Sequence, residues 1–393
     1  MQDKKHILIV APYVTFPHEM GMNRFIYLAK MLSAEFDVTL VTSKYCHFLK
    51  KHRERTPELG NVKVILLDEP GYRKNVSLQR LISHRRFCRN FETLLKSYDR
   101  QIDAVYSAYP LIRTNYILGR YKQSKNFKLI IDVQDVWPEA IAGPIAFFST
   151  QIGKMLMKPI TQYADKTYSY ADALVAVSET YLQRADVNRL PARLKSAVYI
   201  GGDFLFTKSN GKKATDKLVA TYLGTMAGSY DLETVVRAAP LCSKKVKIQF
   251  IGTGPHEASL QALNRQLGGH VTFLGVHPYK EAMRILADSD VALNAIKASS
   301  EGSITNKLSD YICCALPILS CQKHPEVEKL LALGGGIQYT AGDHRELAAK
   351  LDKLAEDQAV LDKMSQTNLS LAKEKFLRER SYKEIEKLIK NII

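Results

Sequence analysis

Short apolar runs alternate with longer stretches of helical periodicity along nearly the whole chain. Runs such as His6–Ala11, Phe127–Val133 and Val246–Ile251 are largely apolar, as expected for strands buried on both faces of a parallel sheet. Stretches such as Arg24–Ser33 and Leu232–Ala239 repeat apolar residues every three to four positions, which is typical of helices packed on such a sheet. The alternation predicts an α/β protein with doubly wound parallel sheets.

The alternation is interrupted within residues 204–217, where Ser, Asn, Gly and Lys replace the apolar runs. Such a composition is typical of a linker, and 393 residues suit two domains of about 200 residues each. We therefore predict an N-terminal domain over residues 1–203, a linker over 204–217 and a second domain over 218–375. Residues 376–393 are expected to form a helix that returns to the first domain.

The net charge of +16 is unevenly distributed. Residues 1–200 hold 30 of the 56 Lys and Arg residues but 18 of the 40 Asp and Glu residues, and the excess is concentrated in the region 44–100. Within it, Leu78–Tyr98 has apolar residues at helical spacing with arginines between them. Such a helix can lie on an anionic membrane surface, or can have its apolar stripe in the core and a solvated basic face. Both interpretations stay open.

Other broad classes are less consistent with the sequence. No recognisable nucleic-acid motif accompanies the charge, so nucleic acid is not expected as a partner. The six cysteines form no Cys-x-x-Cys pair, which favours reduced thiols, and no apolar run approaches the roughly 18–20 residues that span a bilayer. We expect a cytoplasmic protein, with peripheral attachment to the inner face of the cell membrane if the basic helix binds lipid.

Three loops of the second half have the composition of a diphosphate site. They cover 224–229, 252–255 and 299–307, and are rich in glycine, serine and threonine. Backbone amides at the start of a helix favour an anion, and Lys307 can neutralise a phosphate. Asp310, one turn further on, can accept hydrogen bonds from ribose hydroxyls. The Gly-x-Gly of the second loop is a weak signal by itself, because glycine is common in strand-to-helix turns.

The segment 302–319 resembles the donor-site helix of family-four retaining glycosyltransferases. Lys307 and the later Tyr, Ala and Pro of the pattern match as they stand, and Asp310 takes the place of its second glutamate. The first glutamate falls at Gly302, and the acidic Glu301 lies one position earlier. Further segments with family resemblance are Tyr222–Gly224, Phe250–Pro255, Phe273–His277, Ala171–Ser178 and Asp288–Leu293.

The resemblance implies the GT-B fold, in which two Rossmann-like domains face a cleft. It implies retaining transfer of a sugar from a nucleotide-diphosphate sugar, with a UDP-sugar favoured, no cofactor and no metal. Asp288 and Asp290 have the spacing of a metal motif, but they match a structural segment of the family. The residues that the resemblance assigns to the donor are Gly224, Thr225, Gly252, Gly254, Val276, His277, Glu301, Gly302, Ser303, Ile304, Thr305, Asn306, Lys307 and Asp310.

The chain departs from the family pattern in the residues that bind the diphosphate. Members commonly place an arginine and a lysine in the first loop, whereas 225–230 contains no cation. Lys307 and backbone amides must then hold more of the diphosphate. Asp310 is also one methylene shorter than glutamate, which puts its reach to the ribose in question.

Two segments of the first half complete the predicted site. Gly21, Met22 and Asn23 resemble the N-terminal loop whose amides face the donor phosphate or the acceptor. The string Asp135-Val-Trp137-Pro-Glu resembles the surface-polysaccharide branch of the family, which transfers onto glycan or lipid-linked acceptors. Asp135 is predicted to lie nearest the reacting sugar, or else to cap its own loop. Trp137 could stack on a sugar or pack between domains.

Rival functions remain open from the sequence. A GT-B sugar epimerase would use the same donor site without an acceptor. A catalytically silent partner of a glycosyltransferase would explain the departures at Gly302 and Asp310. A dinucleotide-dependent oxidoreductase is disfavoured, because no G-x-G-x-x-G follows His6–Ala11.

Overall fold

The structure is a computed structural model, and it describes residues 4–19, 23–74, 77–142, 150–206, 216–297 and 303–393. The chain forms two compact units, Met1–Val198 with Tyr382–Ile393, and Tyr199–Ser381. Most of the predicted linker, 207–215, lies outside the described residues.

The chain joins the second unit at Tyr199 and leaves it after Ser381, whereas the sequence placed these transitions at 204–217 and 376. Packing explains the difference. The ring of Tyr199 stacks on that of Phe376 with 4.7 Å between centroids, and the amide of Gly202 donates to the carbonyl of Phe376 at 2.9 Å. Residues on both sides of the predicted boundaries therefore belong to one packed body.

The first unit is built on a seven-stranded parallel sheet in the order β5-β2-β1-β6-β7-β8-β9. The order reverses between β1 and β6, as in a doubly wound fold. A short antiparallel hairpin, β3 with β4, follows β2. The strands of this unit are β1 (His6–Val10), β2 (Asp37–Ser43), β3 (Tyr45–Cys46), β4 (Lys51–His52), β5 (Lys63–Leu67), β6 (Ala104–Tyr109), β7 (Lys128–Val133), β8 (Ala173–Ala176) and β9 (Lys195–Ala197).

The helices of the first unit cover the sheet, and their ends follow the expected capping rules. Ser178 accepts a hydrogen bond from the amide of Tyr181 at the start of Glu179–Ala185. Thr150 caps Gln151–Tyr168 by accepting from the amide of Gly153. The helices are Arg24–Leu32, Leu78–Ser97, Ile112–Tyr121, Glu139–Ala142, Gln151–Tyr168, Glu179–Ala185 and Lys383–Lys390.

The basic helix Leu78–Ser97 is only partly a core helix. Its later apolar residues Phe87, Phe91 and Leu95 are buried, as expected of an ordinary packed helix. Its first turns differ, because Leu78, Leu81 and Ile82 are 72%, 60% and 51% exposed. The expected single apolar stripe is thus divided into a buried half and an exposed half.

The second unit repeats the architecture with six parallel strands in the order β12-β11-β10-β13-β14-β15. Its core strands are continuously buried, which explains their apolar runs. The strands are β10 (Leu218–Leu223), β11 (Val246–Ile251), β12 (Val271–Gly275), β13 (Val291–Asn294), β14 (Ile318–Ser320) and β15 (Gly336–Gln338). The helices are Leu232–Ala238, Glu257–Gln266, Tyr279–Ala287, Asn306–Cys313, Pro325–Leu330, His344–Glu356, Gln358–Leu371 and Arg378–Ser381.

The segment Tyr382–Ile393 completes the core of the first unit. Tyr382, Ile385, Leu388 and Ile389 are at most 3% exposed and pack in the same apolar cluster as the β1 strand. Across the part of the chain that the structure describes, no helix is both long enough and apolar enough to cross a bilayer.

Candidate functional site

The candidate donor site lies at the carboxyl edge of the second sheet. β10 occupies the centre of that sheet, with β11 on one side and β13 on the other. The strand order reverses at β10 and β13, and ligands of open α/β sheets bind at the carboxyl ends of strands at such a switch point. The loops that follow these strands contain most of the residues that the sequence assigned to the donor.

Two glycine loops lie backbone to backbone at this edge. A Cβ on Gly252 would lie 2.2 Å from the carbonyl oxygen of Gly224, and one on Gly254 would lie 2.3 Å from that of Met226. Gly224 and Gly252 also have φ values of 136° and 125°, which side chains rarely adopt. These glycines are therefore required for the close approach of the loops after β10 and β11.

The amides of the 224–229 loop divide into two groups. Those of Gly224 and Met226 donate to the carbonyls of the neighbouring strand and loop at 2.8 and 2.9 Å. Thr225, Gly228 and Ser229 are exposed. An anion at this edge would consequently meet the exposed part of the loop rather than the whole of it.

Lys307 reaches across the first glycine loop. A Cβ on Gly224 would lie 1.9 Å from Cε of Lys307, so the lysine stem passes directly over the glycine. Its Nζ lies 3.8 Å from the centroid of the Tyr230 ring and 5.9 Å from that of Tyr222. Aromatic faces attract an ammonium group, and the two tyrosines hold the charge of Lys307 at the carboxyl end of β10.

The helix Asn306–Cys313 is anchored so that Lys307 and Asp310 share a face. Thr305 caps it by accepting from the amide of Leu308 at 3.2 Å. The buried hydroxyl of Tyr311 accepts from the amide of Leu223 at 3.1 Å and donates to the carbonyl of Leu293 at 3.2 Å. The helix start is thereby tied to the ends of β10 and β13, the two strands at the switch point.

Asp310 is a half-buried carboxylate with a perturbed pKa. Removal from water raises its pKa from an ordinary 3.8 to about 6, against the opposing effects of a hydrogen bond from Tyr279 and of the charges of Arg378 and Lys307. The Tyr279 hydroxyl donates to Oδ1 at 2.8 Å. A carboxylate whose pKa is raised by burial beside charged partners is typical of a functional site.

Three of these neighbours were not found from the sequence. Tyr230 and Tyr279 belong to no motif, and the buried Arg378 lies 175 positions from Asp203, with which it forms an ion pair at 2.6 Å. Two signals in the sequence could have identified them. One is the group of aromatic residues near the glycine loop, and the other is the start of the helix that follows residues 277–278. Their contacts with Lys307 and Asp310 join segments far apart in sequence.

The remaining predicted donor residues have varied surroundings. Val276 is 71% exposed, and His277 Nε2 lies 3.0 Å from the carbonyl of Leu274. Ser303 and Ile304 are buried, and the Ser303 hydroxyl accepts from the amide of Ile304 at 2.6 Å. Asn306 is exposed at the helix start. Glu301 and Gly302 lie outside the described residues.

Asp288 and Asp290 flank the start of β13. The carboxylate of Asp290 accepts from the amide of Val219 at 2.8 Å, and Asp288 ends the preceding helix. This placement matches the structural role that the family resemblance gave to the segment.

Asp135 lies in the first unit, in the loop after β7. Its two carboxylate oxygens accept from the amide of Val136 at 2.9 Å and from Nε1 of Trp137 at 3.1 Å, and burial raises its pKa. These are the bonds of a carboxylate that caps its own loop, one of the two interpretations of the sequence. The preceding strand end is fixed by Asp132, which accepts from Arg24 at 2.7 Å in a fully buried ion pair.

Asn23 caps the helix Arg24–Leu32. Its Oδ1 accepts from the amides of Phe25 and Ile26 at 3.1 and 3.2 Å. The Asn23 side chain therefore satisfies two amides of the first helical turn. Gly21 and Met22 lie outside the described residues.

Part of the chain matches a known protein family. Residues 217–357 match the family model of the glycosyl transferases group 1, a segment that covers β10 to His344–Glu356 and contains Lys307 and Asp310. No curated protein matches the chain in sequence.

Several solved structures share the whole fold at low sequence identity. Sucrose-phosphate synthase from Thermosynechococcus elongatus has a TM-score of 0.73 at 14% identity, covering 99% of both chains. HepE from Anabaena in complex with UDP has a TM-score of 0.68 at 14% identity, again covering 99% of both chains. The lipopolysaccharide outer core galactosyltransferase WaaB has a TM-score of 0.64 at 15% identity, covering 99% of this chain and all of its own. At such identities the likeness establishes the GT-B fold.

Proposed function

We propose that this chain, a group 1 glycosyltransferase of the GT-B fold, transfers a sugar from a UDP-sugar to a glycan or lipid-linked glycan in surface glycan synthesis. The observation that carries the proposal is the placement of Lys307 over Gly224, with Asp310 three residues further along the same helix. A cation and a carboxylate at a sheet's switch point suit the diphosphate and ribose of a nucleotide. HepE, which shares the fold, was solved with UDP, and this supports uracil as the base.

In the proposed mechanism, the chain's own groups stabilise the leaving diphosphate. Lys307 and the exposed amides of the 225–229 loop would meet the negative charge that grows as the anomeric bond breaks. The acceptor hydroxyl would attack from the face that the diphosphate leaves, so that configuration is retained, and its proton would pass to the departing phosphate. Asp135 would hold the reacting sugar through the carboxylate that its loop positions.

Lys307 is the main cation of the proposed donor grip. Its Nζ is held by ring faces rather than by any ion pair among the described residues, so an incoming phosphate need not displace a carboxylate. Charge-assisted hydrogen bonds of this kind are about twice as strong as neutral ones. Asp310 would accept from the ribose hydroxyls in exchange for, or alongside, the Tyr279 hydroxyl.

Attachment to the inner face of the cell membrane is part of the proposal. Leu78, Leu81 and Ile82 are exposed at the start of the basic helix, and Arg85, Arg86 and Arg89 follow as exposed cations. Apolar and basic side chains together suit an anionic lipid surface. A lipid-linked acceptor would be encountered there.

The donor can be tested by thermal unfolding with UDP, GDP and ADP, since a ligand that binds only the folded state raises its stability. We expect a larger rise with UDP, by about 2.7 kcal/mol at a hundredfold excess over its dissociation constant. Absence of any rise would refute the donor site. Incubation with UDP-sugars and no acceptor separates the rival function, because an epimerase would convert the sugar whereas a transferase would not.

A further inference from the structure

An open cavity of about 460 Å³ lies in the first unit, and none of the residues assigned to the donor lines it. It is bordered by the β3–β4 hairpin, which follows β2, by residues 70–73, which follow β5, and by the start of Leu78–Ser97. These are the carboxyl ends of two neighbouring strands, the edge at which open α/β sheets bind ligands. Its size is that of small-molecule sites.

The lining of this cavity is basic. Lys50 and Arg73 contribute cations from two different loops, and His52 and Gln79 add polar groups. Among the described residues that line it, none is acidic. Two cations from separate loops suit an anion with more than one charge, such as a phosphate, better than a single carboxylate.

The walls hold the cation of Lys50 in place. Tyr45 and Tyr72 are each 4% exposed, and Gly71 is pressed on the ring of Tyr45, where a Cβ would lie 2.6 Å from the ring carbons. Lys50 has a φ of 54°, an uncommon conformation for a side chain of its size, and its Nζ lies 4.8 Å from the centroid of the Tyr72 ring. A site whose groups are fixed before binding loses less entropy when a ligand arrives.

Further positive charge lies behind the Tyr72 wall. The Arg80 guanidinium lies 5.5 Å from the centroid of that ring, and His47 Nδ1 lies 2.6 Å from the Tyr72 hydroxyl. Burial, reinforced by the charges of Lys50 and Arg80, lowers the pKa of His47 to about 4. Burial and the same arginine lower the pKa of His84 to about 3. The two imidazoles are kept neutral mainly by burial, so the positive charge around the cavity comes from Lys50, Arg73 and Arg80.

We infer that this cavity binds a phosphate group of the acceptor, held between Lys50 and Arg73. The inference rests on the proposed function, because it takes the phosphate to belong to the sugar-accepting substrate. The phosphate could be part of a lipid-linked acceptor or of a soluble phosphorylated sugar. Ile82, which lines the cavity and is 51% exposed, favours an apolar chain beside the phosphate.

The test is calorimetric titration of the full chain with the donor site saturated by UDP. Three probes are used: inorganic phosphate, glucose 6-phosphate and dihexanoyl phosphatidate. The variants are Lys50→Gln and Arg73→Gln, and Arg73 is exposed, so its replacement leaves the core intact. The matched control is Lys63→Gln, which removes an exposed cation from the opposite end of β5.

We expect a phosphorylated probe to bind the wild type, and each cavity variant to weaken binding about tenfold or more, with Lys63→Gln unchanged. Tighter binding of phosphatidate would identify a lipid-linked source, and tighter binding of glucose 6-phosphate a soluble one. The inference is overturned if no probe binds, or if Lys63→Gln weakens binding as much as the cavity variants. Failure of UDP itself to bind would instead refute the proposed function, while the phosphate titrations would still report on the cavity.

Discussion

At the scale of single residues, the proposed donor grip depends on one lysine. Lys307 lies on the Tyr230 ring and passes over Gly224. The 225–230 loop itself contains no cation. A single charge-assisted contact to phosphate contributes about 1.5–3 kcal/mol. The affinity for UDP should accordingly be sensitive to this residue and insensitive to other lysines of the same unit.

Lys307→Ala is expected to weaken UDP binding by about tenfold to a hundredfold without lowering the melting temperature. Lys247→Ala, an exposed lysine on β11, is the matched control and should bind UDP like the wild type. Isothermal titration measures both. Equal affinity in the two variants would show that the phosphate lies elsewhere.

The carboxyl group of Asp310 should make the stability of the folded protein depend on pH. Its folded-state pKa of about 6 lies above the ordinary 3.8, so the folded state binds more protons between these values, and stability falls as pH rises from about 4 to about 6. Asp310→Asn removes this cost. Its melting temperature should exceed that of the wild type by about 2–4 °C at pH 7.5, the shift for roughly 1 kcal/mol, and should show no gain at pH 4.

The same variant should lose donor affinity while it gains stability, as expected where a functional group is kept under strain. Wild-type affinity for a UDP-sugar should fall as pH drops through about 6, where the carboxylate takes up its proton. The Asp310→Asn protein should lack this step. A pH profile unchanged by the substitution would remove Asp310 from the ribose contact.

At the scale of elements, glycine loops decide the geometry of the site. Gly224→Ala would require an unfavourable φ of 136° and would displace the stem of Lys307. Gly269→Ala also has a positive φ, of 78°, but a Cβ there meets nothing within 4 Å. The pair separates backbone strain from displacement of the lysine.

Both alanine variants should lose about 1–2 kcal/mol of stability from backbone strain, measured by urea unfolding. Only Gly224→Ala should also weaken UDP binding, since only it moves Lys307. Comparable UDP affinity in both proteins would mean that the lysine reaches the phosphate by another path.

The strands that the sequence could predict were those with largely apolar runs. β1, β7 and β11 were predicted to within one residue of the bounds that the structure gives, because most of their residues are buried. β9 and β15 were missed, since their residues are only partly buried and their apolar pattern is weak. The helix predicted over 376–393 is divided into Arg378–Ser381 and Lys383–Lys390.

The candidate site was predictable only where it follows local motifs. Lys307 and Asp310 came from one helix pattern, but the Tyr230 ring that holds the lysine lies 77 positions earlier. Asn23 was assigned to a phosphate loop, whereas its side chain occupies the helix amides. Capping and cation–π contacts depend on which segments the fold brings together. The periodicity of apolar residues does not predict these contacts.

At the scale of the whole molecule, the uneven charge predicts salt-sensitive attachment to anionic lipid. Binding to vesicles with phosphatidylserine should fall with added salt, and replacement of Arg85, Arg86 and Arg89 by Gln should reduce it about tenfold or more, at about 1 kcal/mol per cation. Replacement of the exposed Lys353, Lys363 and Lys373 by Gln is the charge-matched control. If the fraction of protein that cosediments with the vesicles changes neither with salt nor with replacement of the arginines, membrane attachment through this helix is contradicted.

The segment 382–393 gives a second prediction at this scale. A chain that lacks these residues loses Tyr382, Ile385, Leu388 and Ile389 from the first core. Each large apolar side chain removed from a core costs about 2–5 kcal/mol, so the loss of all four is comparable with the roughly 5–15 kcal/mol that usually stabilises a domain. The shortened protein should aggregate on expression. A chain shortened only to Lys390 should remain folded, as gel filtration would show.

The return of segment 382–393 to the first unit also determines the order in which the two units are completed during translation. The ribosome completes residues 4–198 and must then translate the whole of 199–381 before Tyr382 and Ile385 emerge, a delay of about 10–40 s at ordinary elongation rates. Throughout that interval the first sheet lacks part of its own interior, whereas the second unit is complete as soon as Ser381 has been translated. The unit that is translated first therefore completes its folding last, and its incomplete core is the surface that chaperones would have to protect from aggregation.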